Sequence, residues 1–417
     1  RMKFFASLRM NNHYNTEESS PSFGRFRREH PELLIGRPDE QIPKFSQLWG
    51  LRTGKDFAYP QVRDFMASIA FELIERFDID GIELDFMRHP GVFRPEEAYA
   101  NRYLLTDMVR QIRNRMDVIG QQKGRDLELS VRVPPTLADS LRIGMDAETW
   151  IKEGLVNIVV TGLGFNPFEA KVREFVNAAQ GTNCQVLGCF EALRPVMDTE
   201  VLRAIAARYL DAGASGIYFF NFYSMSADWK KQVVRDLVDP VALARLNKTY
   251  EIDRTRPSSP ESQIGHAFRY CLALEQLPVR LERTLTDHGV PLRFDIVDDL
   301  ARAKRDGTLV KSVLRLGFQG HADADELDLQ INGQPIAWQS RRSPSQPWSQ
   351  LSYNANWNLY PSKIKSGPID CDAVELELET PPLKQGRNEL KVRLVERGTT
   401  NGAPLVLEYV AVALTYN

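Results

Sequence analysis

The chain has 417 residues, 43% of them hydrophobic, and a formal net charge of −2 at neutral pH. This length allows two or three domains with sizeable cores. The near-zero charge gives no electrostatic indication of binding to nucleic acid or an anionic membrane. No apolar run approaches the roughly 20 residues that a membrane-spanning helix needs, so the sequence predicts a soluble protein without a spanning segment.

In the amino-terminal part of the chain, strand-like apolar runs alternate with runs of helical period. The predicted strands cover residues 4–10, 79–86, 127–133, 156–162, 183–190 and 215–222. The predicted helices cover residues 60–77, 95–119, 147–153, 167–179, 199–212 and 227–237. Such alternation indicates parallel βαβ units.

Six parallel strands are two fewer than the eight of a TIM barrel. The chain begins RMKFFASLRM, without Met at position 1 and with a strand almost at once. We therefore predict a (β/α)8-type TIM barrel that lacks its first two βα units in this chain, so that residues 79–86 form the fourth barrel strand. If a leader is missing, a periplasmic or secreted location follows, but the sequence leaves the compartment open.

The carboxyl-terminal part of the sequence changes pattern. Residues 253–263, rich in Pro, Ser and charge, indicate a linker. Beyond it, segments of period 2 are separated by turns, and Ile331-Asn332-Gly333-Gln334 is a hairpin signal. The predicted domains are a TIM-barrel-like catalytic domain at 1–252, the linker, and an antiparallel β-sandwich accessory domain at 264–417.

The stretch DGIELDFMRHP carries two carboxylates, Glu83 and Asp85, on one predicted strand. Side chains on a strand alternate between its two faces, so these two acids point to the same side. Burying two acids together is costly unless they are partnered or used in chemistry. Both are predicted catalytic residues at the barrel mouth, where such enzymes place their active sites. The competing interpretation is that one acid forms a structural ion pair with Arg9 or Arg132.

Glu191 is the third candidate acid, because it ends the predicted seventh barrel strand at the same mouth. Glycosidic cleavage uses two carboxyl groups that flank one bond. The competing interpretation is a solvated glutamate at a strand exit.

Other polar residues near strand ends are predicted to bind substrate. Arg132 is a lone charge within an apolar strand and is expected to pair with Glu83 or Asp85. The predicted substrate-binding residues are Arg9, Asn12, His13, Arg88, His89, Arg132 and Asn221. No CxxC spacing or histidine cluster occurs, so no metal or other cofactor is predicted.

With FFASLRMNNHY before it and DFAYPQVRDF between, the acidic stretch resembles the family-10-like glycosyl hydrolases, bacterial TIM-barrel proteins often joined to accessory β domains. The resemblance covers roughly residues 2 to 240 and implies hydrolase chemistry on glycans. The strand is also similar to that of the α-amylase group, in which Asp85 would be the nucleophile. The chitinase pattern of family 18 departs at Met87, where its catalytic glutamate would stand.

The sequence thus predicts a glycoside hydrolase that cleaves a poly- or oligosaccharide with paired carboxylates. In the preferred layout, Glu83 or Asp85 acts together with Glu191. The alternative is a glycan-binding protein on a degenerate barrel without catalysis.

Overall fold

The computed structural model describes residues 2–11, 18–43, 46–87, 90–162, 169–191, 199–252, 276–283, 289–344, 372–379, 382–398 and 402–417. The chain divides into two compact units. The first contains the chain as far as Glu191, together with Ala212–Phe220. The second contains the helix before Ala212, residues 221–252 and the described residues from 276 to 417.

The first unit is built from six strands and the helices between them. Its strands are β1 (Phe5–Arg9), β2 (Gly81–Asp85), β3 (Glu128–Val133), β4 (Ile158–Thr161), β5 (Gln185–Glu191) and β6 (Gly216–Phe220). Its helices are α1 (Arg25–Glu29), α2 (Gln47–Leu51), α3 (Pro60–Arg76), α4 (Arg102–Lys123), α5 (Leu137–Arg142), α6 (Ala147–Lys152) and α7 (Val172–Ala179).

All six strands pair in parallel, in the order β1-β2-β3-β4-β5-β6. The predicted βαβ alternation is confirmed, and each predicted strand overlaps an observed one. A parallel sheet of six strands is compatible with a partial TIM barrel. The predicted helix at 95–119 lies instead at Arg102–Lys123. Residues 95–101 form turns, and Gly124 ends the helix in a left-handed conformation with φ of 65°.

The six-stranded sheet is strongly rolled. In a flat sheet, β2 and β6 would lie about 19 Å apart, because neighbouring strands are separated by roughly 4.8 Å. Yet the hydroxyl of Tyr218 on β6 lies 3.1 Å from Glu83 Oε1 on β2. The same face of β2, β3 and β6 therefore encloses a shared interior.

Glycine at position 81 permits close packing at the start of β2. A Cβ there would collide with the carbonyl oxygen of Glu128 and with the ring of Phe5 on the flanking strands. On the opposite face of β2, Ile82 and Leu84 are fully buried, as the alternation of an inner and an outer face predicts.

The second unit combines helices with two antiparallel sheets. Its helices are α8 (Thr199–Asp211), α9 (Ala227–Val238), α10 (Pro240–Leu243) and α11 (Leu300–Arg305). Its strands are β7 (Lys248–Glu251), β8 (Val279–Leu281), β9 (Val290–Ile296), β10 (Leu309–Gln319), β11 (Glu326–Ile331), β12 (Gln334–Ile336), β13 (Asp372–Glu377), β14 (Gly386–Glu396) and β15 (Leu405–Tyr416).

One sheet has the order β13-β10-β15-β7, with β8 also paired to β15, and the other has the order β12-β11-β14-β9. Buried side chains from both sheets, such as Leu316 and Leu329, belong to one hydrophobic cluster. The predicted hairpin is confirmed, since Ile331 pairs with Gln334 across Asn332 and Gly333. Their φ values of 53° and 80° suit the left-handed turn that Asn-Gly favours.

A buried polar cluster lies within this unit. Lys248 Nζ is 3.0 Å from Asp298 Oδ1, and the Tyr250 hydroxyl donates a 2.9 Å hydrogen bond to Asp298 Oδ2. Lys248 also donates to the carbonyl oxygen of Leu246 at 3.0 Å. Lys248 and Tyr250 are fully buried, and both oxygens of the acid are used.

The sequence-based domain boundaries stay a prediction, and the predicted linker at 253–263 lies outside the described residues. The β7 strand, which sequence analysis did not identify, pairs with β15 in the antiparallel sheet. The antiparallel character of the carboxyl-terminal part is confirmed, while its description as a sandwich stays a prediction. Among the described residues, no helix combines the length and apolarity needed to cross a membrane.

Candidate active site

The two predicted acids lie side by side on the inner face of β2. Glu83 is 5% exposed and Asp85 is 3% exposed. In the parallel register, Glu83 stands between Ser7 of β1 and Ser130 of β3, while Asp85 stands beside Arg132 of β3. The strand alternation inferred from sequence therefore brings both carboxyl groups into one buried environment.

Asp85 is paired with Arg132, which is fully buried. The Arg132 Nη1 atom lies 2.8 Å from Asp85 Oδ1, and the same oxygen accepts a 3.0 Å hydrogen bond from the backbone N–H of Met87. The predicted pairing of Arg132 with one of the two acids is thus present, and the acid is Asp85. The Nε of Arg132 has no hydrogen-bond partner among the described residues.

Glu83 has hydroxyl partners in place of a cation. Ser7 Oγ donates to Glu83 Oε1 at 2.8 Å, and the Tyr218 hydroxyl donates to the same oxygen at 3.1 Å. Because both hydrogen bonds end on Oε1, they fix the orientation of the carboxyl group. Within the described part of the chain, Oε2 has no such partner.

The two acids differ in their electrostatic surroundings. Burial raises the pKa of Glu83, and the charge of Asp85 adds to the rise, whereas Arg132 and the two hydroxyl donors oppose it. Burial would lower the pKa of Arg132, but nearby negative charge, chiefly that of Asp85, raises it overall. The pKa of Tyr218 is raised, first by burial and then by the neighbouring Glu83. Tyr218 is therefore a neutral hydrogen-bond donor at physiological pH.

Aromatic rings and a thiol complete the surroundings of Arg132. Its guanidinium carbon lies 4.1 Å from the ring centre of Phe220 and 5.3 Å from that of Tyr218. Its Nη2 lies 4.0 Å from the sulfur of Cys189 on β5. Stacking on rings holds a guanidinium in a buried place and keeps its charge.

Chemically, this arrangement brings two neighbouring carboxyl groups into different surroundings. The carboxyl group with the raised pKa, that of Glu83, lies between hydroxyl donors and can donate a proton, while that of Asp85 is ion-paired with a guanidinium. General acid catalysis with a nearby carboxylate needs such a pair.

The structure describes some of the other predicted site residues and not others. Arg9 is exposed at the end of β1, in register with Asp85. Asn221 follows β6 in a left-handed conformation with φ of 57°. Glu191 is the last residue of β5, and its side chain lies outside what the structure describes. Asn12, His13, Arg88 and His89 also lie outside the described residues.

Sequence reasoning missed Ser7 and Tyr218 as partners of Glu83. A usable signal was present, because Ser7 lies two residues before Arg9 and therefore shares its face of β1. Tyr218 stands in a run of aromatic residues on β6, which by itself indicates core packing. Its contact depends on the roll of the whole sheet, which no local pattern reveals.

No family model matches the chain, and no curated protein matches it in sequence. A glycoside hydrolase family 18 N-acetylglucosaminidase from Paenibacillus barengoltzii is 16% identical over 32% of this chain and 45% of its own, with a TM-score of 0.24. A type I 3-dehydroquinate dehydratase from Clostridium difficile is 15% identical over 38% and 57%, with a TM-score of 0.28. An endo-β-1,4-mannanase from Thermotoga petrophila is 10% identical over 85% and 72%, with a TM-score of 0.32.

The chain spans about half the length of the first two of these proteins, 45% and 57%. Glycoside hydrolases are thus among the solved structures that this chain resembles at low identity. Similarities as distant as these carry no argument about catalytic residues or substrate.

Proposed function

We propose that the protein is a glycoside hydrolase in which Glu83 is the general acid. The observation that carries the proposal is the buried carboxyl group of Glu83, whose Oε1 accepts hydrogen bonds from both Ser7 and Tyr218. An oxygen that accepts two hydroxyl donors is a poor place for a proton, so the proton resides on Oε2. That oxygen has no competing partner in the described part of the chain.

Asp85 is the proposed anionic partner. The Nη1 of Arg132 forms an ion pair with Asp85 Oδ1, and the Met87 N–H donates to the same oxygen. In a glycosidase, an ionised carboxylate attacks the anomeric carbon or activates a water, while the acid protonates the departing glycosidic oxygen. Glu191 at the end of β5 remains the second candidate for this role, as the sequence layout proposes.

The remaining polar groups are assigned to substrate binding. Arg9 is exposed beside Asp85 in the strand register, so its guanidinium is available to sugar hydroxyls. Arg132 retains an Nε–H without a partner among the described residues, and an unpaired buried donor suits a site that receives a polar ligand. The proposal includes the resemblance to the family-10-like glycosyl hydrolases. It also includes substrate-binding roles for Asn12, His13, Arg88, His89 and Asn221.

The test compares Glu83→Gln, Asp85→Asn and Glu191→Gln on a panel of polysaccharides and aryl glycosides. We expect Glu83→Gln to lower kcat/KM on polysaccharide by about 10²–10⁴-fold, the usual contribution of a general acid. Dinitrophenyl glycosides should lose much less, because their leaving group needs no proton. Azide should rescue the variant that lacks the nucleophile and thereby separate Asp85 from Glu191.

A matched control is Asp139→Asn. Asp139 on α5 is also a buried acid whose pKa is raised, chiefly by burial, but it forms an ion pair with Arg142. Its replacement should leave hydrolysis unchanged. If Glu83→Gln cleaves polysaccharide as fast as the control variant, Glu83 is not the general acid.

The second candidate function is glycan binding without catalysis. One observation favours it: Glu83 and Asp85 are only 5% and 3% exposed, which is typical of structural acids. Binding on a glycan array without release of reducing ends from the bound glycans would select this function.

A further inference from the structure

A second candidate site lies elsewhere in the first unit. A cavity of about 470 Å³ is lined by Phe23, Gly24, Arg25, Phe26, Arg27, Glu29, Lys55 and Phe65. Its size falls within the range of small-molecule sites. Its walls are apolar and basic, and none of the acids and hydroxyls described above takes part.

The apolar part of the wall consists of three phenylalanines. Phe26 on α1 and Phe65 on α3 stack with ring centres 4.4 Å apart and an angle of 19° between planes. Phe65 is 36% exposed, whereas Phe23 is 4% exposed. The cavity thus offers a flat aromatic surface that is partly open to solvent.

The polar part of the wall has more positive than negative charge. Arg25 and Glu29 form an exposed ion pair of 2.7 Å, so the acid of the wall is already paired. Arg27 is 4% exposed, and its guanidinium lies 4.2 Å from the ring centre of Phe23. It also donates to the carbonyl oxygen of Thr53 at 3.1 Å.

Lys55 is the second cation of the wall. Its backbone is held by Asn11, which accepts a 3.0 Å bond from the Lys55 N–H and donates a 3.0 Å bond to the Lys55 carbonyl. The ammonium group has no ion-pair partner within the described part of the chain. The neighbouring Asp56 accepts a hydrogen bond from the backbone N–H of Ala58.

The positive charge of Arg27 acts on the ammonium group of Lys55 in the cavity wall. Burial, and then the positive charge of Arg27, lower the pKa of Lys55 to about 8. Burial likewise lowers the pKa of Arg27 to about 10. Binding of a carboxylate or phosphate beside them would relieve this repulsion and form charge-assisted hydrogen bonds.

We propose that this cavity binds an organic anion, whose carboxylate or phosphate group contacts Lys55 beside Arg27 and whose apolar body lies against the phenylalanines. The proposal is independent of the glycosidase assignment, because it uses none of the same residues. It concerns a ligand site and requires no reaction of the ligand.

Pyridoxal 5′-phosphate is a suitable chemical probe, since it combines a phosphate, a flat ring and an aldehyde. The neutral amine of a lysine condenses with the aldehyde and releases water, and borohydride then reduces the imine to a stable amine. At a pH of about 8, a lysine of pKa about 8 has roughly a hundredfold larger neutral fraction than an ordinary lysine. Peptide mass mapping after brief exposure measures the labelling rate of each lysine in the full chain.

We expect Lys55 to be labelled at least about tenfold faster than Lys152, an exposed lysine on α6. Pyridoxal, which lacks the phosphate, should label Lys55 more slowly than pyridoxal 5′-phosphate does, whereas the two probes should label Lys152 at similar rates. Protection of Lys55 from labelling by benzoate alone identifies a carboxylate ligand, and protection by phenyl phosphate alone identifies a phosphate ligand. Protection by both anions shows that the cavity accepts either group. Equal rates at the two lysines, equal rates for the two probes at Lys55, or protection by neither anion would overturn the proposal.

A second measurement uses Lys55→Met beside the control Lys152→Met. The anion that protects Lys55 should raise the melting temperature of the wild type and of the control variant, but not that of Lys55→Met. A rise of the same size in all three proteins would show that the anion binds elsewhere and would overturn the assignment to this cavity.

Discussion

Two of the buried polar clusters in the described part of the chain differ in how their charges are matched. In the second unit, the single acid Asp298 is matched by Lys248, and its other oxygen accepts from Tyr250. In the first unit, the guanidinium of Arg132 lies near two acids, Glu83 and Asp85. It forms an ion pair with Asp85 only. The matched cluster has the character of a structural support. In the unmatched cluster, the carboxyl group of Glu83 can hold a proton. Stabilising the fold does not require such a group.

The largest effect should come from breaking the matched cluster. Lys248→Met leaves Asp298 buried without its cation, and such losses typically cost about 3–5 kcal/mol in the free energy of unfolding. Burial already lowers the pKa of Lys248 in spite of Asp298, so the pair depends on both members. Urea unfolding of the full chain measures the change.

The matched control is Lys231→Met, which replaces an exposed lysine on α9 and should change stability by less than about 0.5 kcal/mol. Adding Asp298→Asn to Lys248→Met should recover part of the loss, because the neutral amide still accepts from Tyr250. Equal stability of Lys248→Met and the control would show that the pair contributes nothing.

A smaller loss is expected from Gly81→Ala, which tests how tightly the first unit packs around its acids. The added methyl group would collide with backbone on β3 and with Phe5 on β1, and overpacking of this kind typically costs about 1–3 kcal/mol. Gly216→Ala on β6 is the control, since its Cβ would meet only the flexible end of Leu187 at 3.3 Å. Similar melting temperatures for the two variants would contradict the close packing at β2.

The third comparison concerns pH. The pKa of Glu83 is raised in the folded state, so its contribution to stability is present below its unfolded pKa and is lost as pH rises through the folded pKa. Glu83→Gln removes this dependence. The variant should therefore gain stability relative to the wild type as the pH rises through that window.

Unfolding curves at several pH values check the sign. The same substitution abolishes the proposed acid catalysis, so a variant that is relatively more stable at neutral pH and inactive would mark Glu83 as functional. If the stability of the wild type and of the variant changed with pH in the same way, burial would not raise the pKa of Glu83 in the folded protein.

The smallest effect is expected at the hairpin of the second unit, far in sequence from either cluster. Gly333 has a φ of 80° and open space around its Cβ position, so Gly333→Ala should cost only the left-handed strain of about 1–2 kcal/mol. Thermal unfolding measures the loss, and a neutral Gly333→Ala would show that the turn can change type.

Sequence patterns predicted much of this architecture because the relevant signals are local. Alternation placed Glu83 and Asp85 on one face, and the lone charge of Arg132 in an apolar strand predicted its ion pair. The short strand β7 escaped notice, since Lys248 reads as a surface residue until Asp298, fifty residues later, is brought beside it. The contact between Tyr218 and Glu83 could not be predicted either, because it depends on how far six strands curl together.

The hydrogen bond between Tyr218 and Glu83 links a titratable acid to the curvature of the sheet. Tyr218 reaches Glu83 across the interior without any backbone pairing between β6 and β2. An ionised carboxylate accepts shorter and stronger hydrogen bonds than a neutral one, so release of the Glu83 proton would draw Ser7 and Tyr218 inward. Because Ser7 lies on β1 and Tyr218 on β6, the two hydrogen bonds of Glu83 join the first and the last strand of the sheet.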